Sequence, residues 1–201
     1  MRIVNAAVLD DLRAGRGLRL NLGSGPRSRD GFYNLDVAAL DNVDIVADLN
    51  RPLEALPDDC ALEVVSRHTL EHIENLLLLL AELHRIVRRD GRIAVTVPHF
   101  SNPDAWSDPT HVRQFGLFSM YYFCDPEDQP GRQVPTHYVP TRFFVDRVRI
   151  NFFRRGVIDA VLGRLVRAVV NLSFTTQHAY ERRFCWLWPA EEITYVMRPK
   201  K

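Results

Sequence analysis

The sequence predicts a doubly wound α/β fold, a mostly parallel sheet with helices on both faces. Two observations favour this class. Short apolar segments alternate with loops and helical patterns along the chain, and continuously apolar strands are typical of parallel sheets covered on both faces. The chain has 201 residues, 46% of them hydrophobic, which suits one domain with a sizeable core. We therefore expect residues 1–201 to form a single domain.

The apolar segments predict a sheet of seven strands. In chain order these strands are residues 18–22, 32–37, 43–49, 61–66, 92–97, 146–153 and 193–199. Residues 69–91 predict one long helix, because an apolar face runs along them, Arg88 and Arg89 form a basic last turn and Gly91 closes it. A second helix is predicted over residues 157–172, with an apolar stripe typical of a core-facing helix.

Residues 98–141 form an insertion of different composition. Seven of the 12 prolines fall there, together with many aromatic residues. The segment is too rich in proline for sheet and too aromatic for a solvated linker. It predicts either a lid over a substrate or an irregular packed excursion. Trp106, Phe115 and Tyr121 are accordingly candidates for an acceptor pocket or for the core.

Composition excludes several classes of protein. Three scattered cysteines without a CxxC pair argue against a disulfide framework or a zinc ribbon and fit a reducing, cytoplasmic setting. The N-terminus does not resemble a signal peptide, and no apolar run is long enough to cross a membrane. The net charge is +1, but residues 142–201 carry 12 Lys and Arg against five Asp and Glu. This basic section is either a solvated face or a contact for an anionic partner.

Polar groups follow the predicted strands where a ligand of a parallel sheet would bind. Gly23 and Gly25 come directly after the first strand, where a tight turn and close approach of a ligand both require glycine. Asp36 ends the second strand, and its carboxylate can accept hydrogen bonds from both hydroxyls of a ribose. Asp48 ends the third strand, beside the place for an adenine edge. Together these groups predict a nucleotide-like ligand.

Several segments resemble the class I S-adenosylmethionine-dependent methyltransferases of the small methyltransferase-domain type. They are LNLGSGP (20–26), NLDV (34–37), VADLN (46–50), SRHTLEHI (66–73), LHRIVRRDGRIAVTVPH (83–99) and DPTHVRQF (108–115). The resemblance implies a Rossmann-like methyltransferase fold, methyl transfer and S-adenosyl-L-methionine (SAM) as cofactor. Two features depart from the family pattern: Asn21 stands where an acidic residue is common, and the connection from Gly23 to Tyr33 leaves room for only about a turn of helix.

The resemblance also implies roles for individual residues. The methionine part of SAM would lie against Gly23, Ser24 and Gly25, and its ribose would bind Asp36. The adenine would lie between Asp48 and Leu49. The transferable methyl group would be bordered by Arg67 and His68. NAD is disfavoured as the ligand because Ser28 stands where a third glycine would be needed.

Methyl transfer from a sulfonium requires positioning, and a base only where the acceptor must lose a proton. For a hydroxyl acceptor the first candidate base is His111, with Asp108 as its orienter, and the second is His99, which follows the fifth strand and should face the cleft. Arg113 could bind an anionic acceptor or form a surface ion pair. We expect O-methylation of a small molecule, a glycan or a lipid-linked acceptor.

Three alternatives remain open from the residues. HTLEH (68–72) matches the HxxEH zinc-hydrolase motif, in which His68 and His72 would share a helix face with Glu71 as base, although nothing marks a third ligand and no metal is expected. A protein with the cofactor fold but no catalysis is the second alternative. The third is a peripheral membrane contact through residues 154–172. Nucleic acid is an improbable partner, since the 98–140 segment lacks interleaved basic and aromatic residues; the oligomeric state stays open.

Overall fold

A computed structural model describes residues 1–137, 139–153 and 156–201, with only the backbone of residues 157–160. One sheet contains the strands β1 (Arg2–Ile3), β2 (Leu18–Leu22), β3 (Tyr33–Asp36), β4 (Ile45–Val46), β5 (Ala61–Arg67), β6 (Val87–Pro98), β7 (Phe143–Phe152) and β8 (Ala190–Pro199). The helices are α1 (Ala6–Arg13), α2 (Leu76–Ile86), α3 (Pro103–Ser107), α4 (Gly156–Val170) and α5 (Phe174–Arg183). Short 3₁₀ turns span Leu70–His72, Tyr121–Phe123 and Pro126–Asp128.

The sheet has the strand order β1-β4-β3-β2-β5-β6-β8-β7. Strands β4, β3, β2, β5 and β6 run parallel, whereas β8 lies antiparallel between β6 and β7. The mostly parallel sheet and its seven predicted strands are confirmed. The eighth strand, β1, was missed because it has only two residues, which are too few for a hydrophobic period.

The connections place a crevice at the carboxyl ends of the central strands. From β2 the chain moves outward through β3 to β4, and it then returns to the other side of β2 to form β5 and β6. Neighbouring strands β2 and β5 thus lie at the point where the strand order reverses, which is where open parallel sheets bind ligands. Their core positions are fully buried, among them Leu20, Leu22 and Val64.

The long helix predicted over residues 69–91 is wrong at both ends. Residues 70–72 form a 3₁₀ turn, Ile73 is extended, and α2 starts only after Asn75, whose side chain accepts the Leu78 amide at 3.4 Å. At the other end α2 stops at Ile86, and β6 begins at once by pairing Val87 with Ala61 of β5. Pairing in the sheet therefore overrides the local helical pattern, so that Arg88, Arg89 and Gly91 belong to β6.

Much of the insertion at residues 98–141 is packed. Phe115, Met120 and Phe123 are buried against the main core, while Tyr121 packs with Cys124 and Val134. Trp106 is exposed, with its indole N–H donated to the Phe100 carbonyl at 2.7 Å. The structure thus has an irregular packed excursion over this length, and the part that approaches the crevice is the short stretch 108–113.

The remaining differences concern helices. Residues 23–32, which join β2 to β3, contain only turns and bends, so the expected single helical turn is reduced further. Helices α1, α3 and α5 were not predicted, because each is short and only weakly apolar. Among the described helices, none combines the length and the hydrophobicity that a bilayer crossing requires. Arg154 and Arg155, the first two residues of the predicted membrane contact over 154–172, lie outside the described part of the chain.

Candidate functional site

A cavity of about 390 Å³ opens at the carboxyl ends of β2 to β5. Its lining combines the turn after β2, the end of β3, the segment after β4 and the start of the 3₁₀ turn after β5: Gly23, Gly25, Asp36, Val37, Ala47, Asp48, Leu49, Asn50, His68, Thr69, His72 and Ile73. Six of the eight residues expected to contact a cofactor are in this set. Ser24 and Arg67 are the two that do not line the cavity.

The two glycines of the turn have different reasons for being glycine. Gly23 has a φ of +62°, and a Cβ there would lie 2.2 Å from the Thr69 Oγ1 atom. The Thr69 hydroxyl lies 3.3 Å from the Leu22 carbonyl, so the end of β2 and the start of the 3₁₀ turn are in direct contact. Gly25 has a φ of +52°, but a Cβ there would meet no heavy atom within 4 Å. Gly25 therefore keeps open space on the cavity wall.

Asp36 is held directly beside this turn by backbone amides. Its Oδ2 atom accepts the Gly25 amide at 2.8 Å, and its Oδ1 atom accepts the Ala38 amide at 2.9 Å. Asn42 adds a further tie by donating its side-chain amide to the Gly25 carbonyl at 2.9 Å. An ionised carboxylate has about four acceptor sites, so two backbone amides fix its orientation and leave capacity for a diol.

Asp48 and Leu49 form the neighbouring wall, after β4. Asp48 accepts the Asn50 amide at 2.9 Å, and its other oxygen lies 3.5 Å from the Arg51 Nε atom. Leu49 is buried and supplies an apolar surface. An aspartate, an asparagine and an apolar side chain together suit a flat heterocycle with polar edges.

The end of β5 is fixed by a residue of the last strand. Glu192 of β8 accepts an N–H of Arg67 at 2.8 Å and lies 3.1 Å from the His68 Nε2 atom. Burial acts to raise the pKa of Glu192, but the hydrogen bonds from His68 and Arg67 outweigh it and lower that pKa below its usual value of 4.5. His68 has the left-handed φ of +53°, which ends β5 abruptly and turns the chain into the cavity wall. No local sequence pattern indicates this role for Glu192, since its contacts with Arg67 and His68 join residues more than 120 positions apart.

The predicted catalytic residues lie in two places in the structure: His111 and Asp108 are neighbours, and His99 lies apart from them. His111 is nearly buried, with its Nδ1 atom 2.8 Å from the Ala105 carbonyl and its Nε2 atom 3.6 Å from Asp108. Its ring packs edge-on against His72, with ring centroids 4.7 Å apart. His111 and Asp108 thus lie behind His72, which lines the cavity. Arg113 donates to the carbonyls of residues 73 and 74 at 2.6 and 2.8 Å, so it supports the 3₁₀ turn.

His99 does not face the cleft, contrary to the expectation from its place after the fifth strand. The side chain is fully buried, with Nδ1 2.8 Å from the Ser101 hydroxyl and Nε2 3.0 Å from the Glu181 carboxylate. Its backbone also makes a β-bridge to Phe115. His99 directly follows β6 at the start of the insertion, and the rest of the insertion covers the His99 side chain. The same insertion buries Phe115 and Tyr121, and neither lines the cavity.

The helix required by the HxxEH interpretation is absent from residues 68–72. His68 precedes the 3₁₀ turn with a left-handed backbone, so His68 and His72 are not one helical turn apart. Instead, the ligand atoms of Glu71, His72 and His111 lie within 4.8 Å of one another. The insertion supplies the third member of this cluster, which no local sequence spacing could indicate.

The strand order and the crevice at its reversal define the fold of the class I SAM-dependent methyltransferases. A SAM-dependent methyltransferase from Archaeoglobus fulgidus aligns over 96% of this chain and 92% of its own, with 13% identity and a TM-score of 0.55. The YcgJ protein of Bacillus subtilis covers 97% of this chain and 98% of its own, with 12% identity and a TM-score of 0.50.

A third similar structure is the methyltransferase-type chain in the complex with the Haloferax volcanii Trm112 methyltransferase activator. It covers 92% of this chain and 83% of its own, with 12% identity and a TM-score of 0.52. No family model matches the sequence, and no curated protein matches it. The similarity therefore establishes the fold across nearly the whole chain, while the sequences have diverged widely.

Proposed function

We propose that this chain is a SAM-dependent methyltransferase whose cofactor binds in the cavity at the carboxyl ends of β2 to β5. The observation that carries the proposal is the lining of that cavity, which joins a glycine turn, a fixed aspartate and a polar-edged apolar wall in one crevice of a methyltransferase fold. The acceptor is a hydroxyl group of a small molecule, a glycan or a lipid-linked sugar.

The lining fits the three parts of SAM. The open space beside Gly25 admits the methionine part close to the backbone. The Asp36 carboxylate, already oriented by the Gly25 and Ala38 amides, accepts the two ribose hydroxyls. Asp48 and Leu49 frame the adenine. His68 and Thr69, at the end of β5, border the methyl group.

Bound there, SAM supplies a methyl group activated by its positive sulfur for in-line displacement. The protein's part is to hold the acceptor hydroxyl, exclude water and accept the hydroxyl proton. The histidines at the cavity are His68 and His72, in its lining, and His111 behind His72. The Thr110 hydroxyl lies 2.6 Å from Asp108 and 2.9 Å from His72 Nδ1. These two hydrogen bonds in series orient the His72 ring.

A lipid-linked acceptor is favoured by two surfaces beyond the cavity. A hollow of about 520 Å³ adjoins Arg67 and is lined by further basic residues, namely Arg92, Arg147, Arg149 and Arg167. Helix α4, which contributes Arg167, exposes Leu165 and Val169 to solvent, contrary to the expected core packing of its apolar stripe. Arginines beside exposed apolar side chains suit an anionic membrane surface. We therefore propose peripheral membrane contact through the described part of α4.

The proposal is tested by calorimetric titration with SAM and with its demethylated product, S-adenosylhomocysteine. Asp36→Ala removes two hydrogen bonds to a charged acceptor, each of about 1.5–3 kcal/mol, and should weaken binding by about 100-fold or more. Asp41→Ala is the matched control, because Asp41 is exposed and does not line the cavity. Absence of binding by the wild-type chain would refute the proposal. Binding without turnover of SAM on any hydroxyl acceptor would favour the non-catalytic alternative.

A further inference from the structure

Glu71 is an unusual carboxylate. Its side chain is 1% exposed, and neither oxygen has a hydrogen-bond partner among the residues that the structure describes. The nearest cationic candidate, His68 Nδ1, is 3.6 Å from Oε1. Burying an ionised carboxylate without a partner costs several kcal/mol, and burial accordingly raises the pKa of Glu71. A buried acid of this kind needs an explanation.

The hydrogen bonds around the two neighbouring histidines determine which ring nitrogen carries the proton. The Thr110 hydroxyl donates its only hydrogen to Asp108 at 2.6 Å, so it must accept from His72 Nδ1, 2.9 Å away. The His111 Nδ1 atom faces the Ala105 carbonyl at 2.8 Å, and a carbonyl can only accept. In its neutral form each ring therefore carries hydrogen on Nδ1 and presents an unprotonated Nε2 atom.

We propose that Glu71, His72 and His111 form a binding site for a divalent transition-metal ion of the zinc type. Two neutral imidazoles and one carboxylate are the protein ligands of many catalytic zinc sites, which keep a further position open. Each histidine is fixed by a hydrogen bond from its other nitrogen, as metal-binding histidines usually are. A cation between these groups supplies the charge partner that the buried Glu71 lacks.

The distances require only small adjustments. The three ligand atoms lie within 4.8 Å of one another, whereas the ligands of a tetrahedral zinc ion with bonds of about 2.1 Å are about 3.4 Å apart. Side-chain rotations that bring the atoms closer by about 1.4 Å or less close this gap. The site differs from the HxxEH pattern, because Glu71 is a ligand and the third ligand comes from the insertion after β6.

The position of the proposed metal site indicates a role in activating the acceptor hydroxyl. This inference rests on the proposed function. His72 belongs both to the cluster and to the cavity lining, so the open position of the metal lies beside the cofactor site. A metal-bound acceptor hydroxyl loses its proton more readily than a free one. In the metal-loaded protein the two Nε2 lone pairs would hold the cation, the cation would make the acceptor hydroxyl more acidic, and His68, the histidine of the cavity lining outside the cluster, would take its proton.

The test is a calorimetric titration of the full chain, stripped with a chelator, with Zn²⁺ alone. We expect one ion per chain, with binding lost in Glu71→Gln and His72→Gln, and weakened about 10- to 100-fold in Thr110→Val, which keeps all three ligands but removes the acceptor of His72. His178→Ala is the control, since His178 is a half-buried histidine outside the cluster. The three cysteines are buried and should not compete.

Thermal unfolding shows whether each variant is folded. Zn²⁺ should raise the melting temperature of the wild type and of His178→Ala but not that of Glu71→Gln. Absence of stoichiometric Zn²⁺ binding by the wild type, or equal binding by Glu71→Gln, would overturn the proposal. Asp36→Ala separates the two proposals, because it should lose S-adenosylhomocysteine and keep Zn²⁺.

Discussion

Replacing Gly25 by alanine isolates the space that the cofactor is expected to occupy. Gly25 has a φ of +52°, and an added Cβ would meet no protein atom within 4 Å. The cost to folding should therefore be limited to the left-handed backbone, about 1–2 kcal/mol. A separate cost falls on binding, because the methyl group projects from the cavity wall where the methionine part would lie. We expect S-adenosylhomocysteine to bind about tenfold or more weakly, which corresponds to about 1.4 kcal/mol.

Gly15 provides a matched control for this experiment. Its φ is +66°, a Cβ there would also meet nothing within 4 Å, and it lies outside the cavity. Gly15→Ala and Gly25→Ala should lower the free energy of unfolding by similar amounts in urea titrations. Calorimetry should then show a loss of affinity only for Gly25→Ala. Equal affinity in the two variants would show that no ligand approaches the backbone at residue 25.

Three further predictions concern other parts of the molecule. His99→Ala should lower the free energy of unfolding by about 3 kcal/mol, since it leaves buried partners unpaired, while S-adenosylhomocysteine affinity stays unchanged; lost affinity with normal stability would contradict this. The hydrogen bonds from Arg85 lower the pKa of Glu82 below its usual 4.5. The ionised Glu82 therefore stabilises the fold at pH values above 4.5, and this stabilisation is lost as the pH falls through the lowered pKa and the carboxylate is protonated. Glu82→Gln should cost about 2 kcal/mol at neutral pH, and the difference in urea unfolding should shrink in acid; a pH-independent difference would refute it. Leu165→Asp should abolish flotation with anionic liposomes and Leu77→Asp, on an exposed site of α2, should not; no flotation of the wild type would exclude the membrane contact.

The sequence predicts the parts of the fold that depend on local patterns. Strands such as β2 and β5 are marked by their buried apolar residues, and the groups that follow them lie at one sheet edge because parallel strands end together. That is why Gly23, Gly25 and Asp36 could be assigned to one crevice. The insertion was recognised by composition, although composition could not distinguish a covering segment from a packed one.

The features that were missed depend on contacts distant in sequence. The helical pattern of residues 69–91 gives way to β6 because Val87 pairs with β5, which no local period reveals. His99 was assigned to the cleft from its position after a strand, but packing of the insertion buries it against Glu181. The cluster of Glu71, His72 and His111 joins segments about 40 residues apart.

Strand β8 completes the crevice with a residue from late in the sequence. It inserts between β6 and β7, and its Glu192 is the residue that ties down the end of β5 through Arg67 and His68. During synthesis the earlier strands can therefore assemble while this rim still lacks its anchor. The crevice of the nascent chain should therefore be complete only after residues 190–199 have emerged and paired with β6 and β7. The earlier strands can collapse into a sheet before that point.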